Sequence, residues 1–98
     1  MKKNINKISI LGATSWGITL ANILSENIKD IVILTRNDIE TRRLQKEKHI
    51  KRDKIYKLKN SISISNNYEE EIFDSDIIIL AVPSASIREN INSIKAFI

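Results

Sequence analysis

The chain has 98 residues, 16 Lys+Arg against 12 Asp+Glu for a formal net charge of +4, 42% hydrophobic residues, and no cysteine. That length allows one domain, which buries about 60–65% of its unfolded surface. The composition is that of an ordinary soluble domain. The missing cysteine excludes a disulfide framework, a thiolate nucleophile and a cysteine-based zinc site, and no apolar run reaches the 18 residues that a membrane span needs.

In chain order, Lys2 and Lys3 are not followed by an apolar core, so no secretory leader is expected. An alternating run at about Lys7–Leu11 reads as a strand, and it stops at Gly12. A helix is expected from about Ser15 to Glu26. Its Gly17, Leu20, Ala21 and Leu24 share one face at i, i+3, i+4 and i+7, and Asn27 is a candidate left-handed terminator. A second strand is expected at about Ile31–Thr35. Asn37 and Glu40 then have the spacing of a capping box, opening a second helix that runs to about His49 with Ile39 and Leu44 on its apolar face.

Residues 50–60 read as a basic connection. Within residues 42–59 stand Arg42, Arg43, Lys46, Lys48, Lys51, Arg52, Lys54, Lys57 and Lys59, against Glu47 and Asp53. Such a block reads first as a solvated helix face and loop, with a polyanion surface as its rival, so nucleic acid is not expected as a partner. Ser61–Ser65 alternates strictly, as a half-buried edge strand does, and Asn66-Asn67 makes a turn. A short helix over 68–73 precedes a strand at about Asp76–Val82, apolar on both faces and ended by Pro83. Ser86 and Glu89 suggest another capping box, with Ile87, Ile91, Ile94 and Ile98 on one helical face. His49 reads as a surface residue, and the acidic residues show no metal-ligand spacing.

The alternation of strand and helix predicts an α/β, Rossmann-like, doubly wound parallel sheet of about four strands in the order 3-2-1-4, with flanking helices. The sheet looks incomplete, because the fourth strand has the character of a central strand yet nothing follows to pair with it. Residues 1–98 are therefore expected to be the amino-terminal part of a dinucleotide-binding domain.

The chemistry concentrates at Gly12-Ala13-Thr14-Ser15-Trp16-Gly17, which reads G-x-T-x-x-G where dinucleotide folds have G-x-G-x-x-G. Gly12 can make the tight turn and Gly17 can let the helix pack against the sheet. Ser15 can offer its hydroxyl or its backbone N–H to a phosphate at the helix start. Thr14 replaces the glycine that admits the phosphate, so its side chain must point away, or the phosphate must sit further out. Trp16 either packs at the helix start or lines the mouth of the cleft. Arg36 lies 24 residues after Gly12. NAD-selective sites hold an acid about there, whereas a guanidinium suits a 2′-phosphate or stacks on adenine. Val82-Pro83-Ser84 lies just past the carboxyl end of the fourth strand, where open α/β sheets bind ligands.

Together these residues resemble the amino-terminal domain of the NAD(P)-dependent glycerol-3-phosphate dehydrogenases. That family opens on a pattern close to G-A-G-S-W-G-T-A-L-A, against Gly12-Ala13-Thr14-Ser15-Trp16-Gly17-Ile18-Thr19-Leu20-Ala21 here. Its second strand ends like Leu34-Thr35-Arg36, and its fourth reads like Ile79-Leu80-Ala81-Val82-Pro83-Ser84. The likeness runs over essentially the whole chain. It departs at Thr14 and at Tyr56-Lys57-Leu58-Lys59, which stands where the family has Tyr-Leu-Pro-Gly.

The resemblance implies NAD or NADP as cofactor, with Gly12, Thr14, Ser15, Trp16, Gly17, Arg36 and Pro83 as cofactor-binding positions. It also implies hydride transfer between sn-glycerol 3-phosphate and dihydroxyacetone phosphate, a phosphorylated small-molecule substrate, for glycerolipid synthesis in the cytoplasm. A homo-oligomer stays open. In that family the catalytic lysines and the substrate domain lie beyond residue 98, so no catalytic residue is expected here. The rivals are a ketopantoate reductase or 6-phosphogluconate type of dehydrogenase, a noncatalytic nucleotide sensor, and a polyanion-binding protein using residues 42–59.

Overall fold

The computed structural model describes residues 5–98; Lys2 and Lys3 lie outside them. Four parallel strands form the central sheet: β1 (Lys7–Leu11), β2 (Asp30–Leu34), β5 (Ser63–Ser65) and β6 (Ile77–Leu80). Their order across the sheet is β5-β2-β1-β6. This is the expected 3-2-1-4 order, with β5 and β6 as its third and fourth strands. Register is fixed by Ile8 opposite both Ile31 and Ile77, and by Leu11 opposite Leu34 and Leu80. No helix among the described residues is long and apolar enough to cross a membrane.

Alternation along the central strands builds a core on each face of the sheet. Ile8, Ile10, Ile31 and Ile33 pack on one side with Ile18 and Ala21 of α1 (Ser15–Leu24) and Leu44 of α2 (Asp38–Glu47). Leu11, Val32 and Leu34 pack on the other with Ile72 of α3 (Tyr68–Phe73) and Ile94 of α4 (Ile87–Ile94). Every residue of β1 is buried. Each fully buried aliphatic side chain contributes about 1.5–3 kcal/mol relative to leaving it in water.

Among the described residues no buried side-chain nitrogen or oxygen lacks a hydrogen-bond partner. The Lys7 ammonium donates to Glu71 at 2.8 Å, and Ser9 pairs with the Ser75 hydroxyl. Burial opposes the charge on Lys7, but the hydrogen bond and charge of Glu71, with Asp30 and Asp74 behind it, outweigh burial and hold Lys7 above its ordinary pKa. Thr35, sealed at the end of β2, pairs with the Thr41 hydroxyl of α2.

Several local expectations are corrected. The basic connection contains an antiparallel hairpin, β3 (His49–Lys51) with β4 (Ile55–Lys57), paired through Ile50 and Tyr56. Asn22 of α1 clamps its return, donating to the Lys57 carbonyl at 2.7 Å and accepting from the Lys59 N–H at 3.1 Å. The left-handed terminator is Lys48 (φ 57°) after α2, not Asn27; α1 ends through Ser25 in right-handed backbone. Ser86 makes no side-chain cap, because a 3-10 turn over Ser84–Ser86 leads into α4 with backbone bonds alone. Ile39 faces solvent, so Leu44 alone of the expected pair anchors α2. In keeping with the expected 3-2-1-4 order, β6 pairs with β1 on one side only and lies at an edge of the four-stranded sheet.

Candidate functional site

The candidate site forms where the carboxyl ends of β1, β2 and β6 meet the start of α1. Gly12 takes φ +119°, a conformation that side chains rarely adopt. A Cβ there would lie 2.4 Å from the Ala81 carbonyl oxygen and 3.0 Å from Val82 Cγ1. Gly12 is therefore needed both for the turn and for the close approach of the β6 end. A Cβ on Gly17 would lie 2.3 Å from the Gly12 carbonyl oxygen, so this glycine lets α1 pack directly on the loop. The Gly12 N–H donates to Leu34 O at 3.1 Å, which ties the loop to the end of β2.

Thr14 resolves the question posed by its place in the motif. It is the N-cap of α1, in extended backbone, and its Oγ1 accepts from the Gly17 N–H at 3.0 Å. The same hydroxyl donates to the Ala81 carbonyl at 2.8 Å. The side chain thus turns inward, against the sheet, and leaves the outer face of the loop clear. Among the described residues the N–H groups of Ser15 and Trp16 have no protein acceptor, since the first turn of a helix has none of its own to offer. They supply the donors and the positive dipole end on which anions settle at helix starts. Trp16, in the first turn of α1, is 61% exposed and does not pack in the core.

Two further walls converge on this loop. Pro83 follows β6, exposed, with the Ala81 N–H bonded to Leu11 O, so the strand's end runs beside Gly12. On the β2 side a groove of about 310 Å³ runs from Ala13 past Glu40, Arg43 and Leu44 to Ile50 on β3. Arg36 stands at the β2 end with its side chain 81% exposed, 3.4 Å from Glu40. The structure thus holds Gly12, Thr14, Ser15, Trp16 and Gly17 in one loop against Ala81 and Val82, with Pro83 next in the chain and Arg36 at the neighbouring strand end.

The hairpin supplies residues that the motif did not indicate. The Tyr56 hydroxyl donates to Asp53 at 2.9 Å, while Lys54 Nζ sits 5.2 Å from its ring centre. The bond from Tyr56 holds the Asp53 carboxyl below its ordinary pKa and raises that of the tyrosine. The one sequence sign of this arrangement is a lone aromatic in a basic stretch.

The sequence model of the NAD-dependent glycerol-3-phosphate dehydrogenase N-terminus matches residues 7–98. Relatives named as NAD(P)+ glycerol-3-phosphate dehydrogenases include that of Agathobacter rectalis, 35% identical over 98 residues covering 96% of this chain. That of Fusobacterium nucleatum is 33% identical over 94% of the chain, and that of Bacillus subtilis 32% identical over 96%. The chain spans about 28% of the length of each of these relatives. The glycine loop, the β6 end and the four-stranded parallel sheet all fall within the matched region, and the chain belongs to the NAD-dependent glycerol-3-phosphate dehydrogenase amino-terminal family.

Proposed function

We propose that this chain is the cofactor-binding part of an enzyme that interconverts sn-glycerol 3-phosphate and dihydroxyacetone phosphate, using NAD or NADP. The observation that carries the reading is the loop itself: two glycines that admit no side chain, an inward-turned Thr14, and the N–H groups of Ser15 and Trp16 at the helix start, which have no protein acceptor among the described residues. These fit a pyrophosphate. Ser15 and Trp16 would bind it through backbone N–H groups, Arg36 would meet the adenosine end, and Pro83 would border the nicotinamide end. When bound, the nicotinamide supplies or accepts the hydride, and the chain's own residues bind and orient it.

The relatives' names suggest the substrate pair for this chain, and the family resemblance assigns none of its residues to act on that substrate. A cytoplasmic location goes with the same reading, and the open β6 edge suits pairing with a second copy in a homo-oligomer.

Calorimetric titration of the chain with NADH and NADPH tests the cofactor half of this reading. Saturable 1:1 binding of at least one is expected, and loss of that binding in a folded Ser15→Pro variant, which removes one loop N–H at a helix position that tolerates proline. No saturation with either nucleotide at millimolar concentration would overturn it.

A further inference from the structure

In NAD-selective dinucleotide folds an acid at the tip of the second strand accepts from the adenosine ribose hydroxyl. Here that tip carries Thr35, buried with its hydroxyl paired to Thr41, and then Arg36, whose side chain extends into solvent. A carboxylate nevertheless reaches the same place from the following helix. Glu40, in the first turn of α2, folds back so that Oε1 accepts from the Arg36 backbone N–H at 3.3 Å, while Oε2 lies 3.4 Å from Arg36 Nη2. A backbone N–H is a fixed point. The carboxylate is therefore held at the strand tip by backbone and does not depend on the exposed guanidinium alone. Its side chain is 29% exposed, and Glu40 lines the groove that begins at Ala13 of the phosphate loop. The capping-box spacing explains only part of this. Asn37 does accept from the Glu40 N–H, at 2.9 Å, but the returning carboxylate lands on Arg36 and not on the N-cap residue itself.

We infer that Glu40 sets the choice between NAD and NADP in this chain. Its carboxylate takes the place of the strand-tip acid toward the ribose hydroxyl, repels a 2′-phosphate, and holds the guanidinium that a 2′-phosphate would need. The inference rests on the proposed cofactor reading. Tyr68, at the start of α3, reports the same pairing of charges: burial raises its pKa first, Glu40 raises it further and Arg36 opposes.

Glu40→Gln keeps an oxygen for the Arg36 N–H and removes only the charge. Titrating parent and variant chains with NADH and NADPH, following Trp16 fluorescence with calorimetry as a check, gives the affinity ratio. The expected result is a shift of that ratio toward NADPH of up to about fivefold, the scale of one exposed charge interaction. Arg36→Ala should move the ratio the other way. An unchanged ratio in a Glu40→Gln chain that still binds NADH and melts like the parent would overturn the assignment of Glu40 alone. A parent chain that binds neither nucleotide would overturn the cofactor reading, and this inference with it.

Discussion

Replacing Thr14 with valine removes one oxygen at nearly constant volume, and it isolates what the threonine does in this loop. The hydroxyl accepts from the Gly17 N–H at 3.0 Å and donates to the Ala81 carbonyl at 2.8 Å. Losing an N-cap costs about 1 kcal/mol, within a range of about 0.5–2. Losing the partner of the part-buried Ala81 carbonyl costs about 0.5–1.5 kcal/mol more. The sum, about 1–3.5 kcal/mol, is large beside the roughly 5–15 kcal/mol that stabilises a domain of this size. It corresponds to a fall in melting temperature of roughly 4–28 °C, read by far-UV circular dichroism. Thr14→Ser, which keeps both bonds, should lose less than half as much. A valine variant melting within about 1 °C of the parent, or a serine variant losing as much as valine, would refute the capping account. Thr14→Gly loses the tie to Ala81 but leaves the outer loop donors in place, so it should keep or improve nucleotide binding while melting below the parent.

The other expected outcomes follow from single contacts. Gly12→Ala should cost about 2–5 kcal/mol, combining a strained backbone with a Cβ 2.4 Å from the Ala81 carbonyl, and a variant melting within 3 °C of the parent would refute the turn assignment. Lys7 has its folded pKa raised above 10.5, so its pairing with Glu71 stabilises fully below that pH and the contribution is lost as pH rises through the folded value. Urea midpoints measured from pH 9 to 12 should therefore fall more steeply in the parent than in Lys7→Met, and parallel curves would contradict the linkage. Tyr56→Phe should return the Asp53 carboxyl toward its ordinary 3.8, read by carbon NMR titration; a value unmoved by the change would show that Tyr56 is not the cause.

The elements that position the site were legible because their signals are local and doubled. β1 shows alternation ended by glycine, α1 shows a small-residue face, and β2 and β6 are apolar runs at crossover spacing. The hairpin at His49–Lys57 was not legible, because two three-residue strands are too short to show a period and their charges match those of α2. Asn27 and Ser86 have suitable side chains for terminating or capping a helix, but terminal conformation is decided by what the chain meets next. Lys48 must turn sharply to reach β3, so it takes the left-handed backbone although its type does not favour it. Thr14 stands where the motif describes a glycine, and the spacing alone leaves open whether its side chain points away or the phosphate sits further out. Its inward rotamer depends on the Ala81 carbonyl, 67 residues away, which no local pattern contains. Arg36 was found from its spacing, whereas the placing of Glu40 at the same strand tip depends on a side chain folding back on the backbone.

The central claim is that the Gly12–Gly17 loop holds the pyrophosphate of a nicotinamide dinucleotide. Titrating the nitrogen-labelled chain with NADH and NADPH, and following its backbone amide resonances, tests this most directly. The largest saturable shifts are expected at the Ser15 and Trp16 amides, with smaller ones at Gly12, Arg36 and the residues flanking Pro83. Shifts confined to the basic hairpin at 49–57, with the loop amides unmoved at saturation, would contradict the claim.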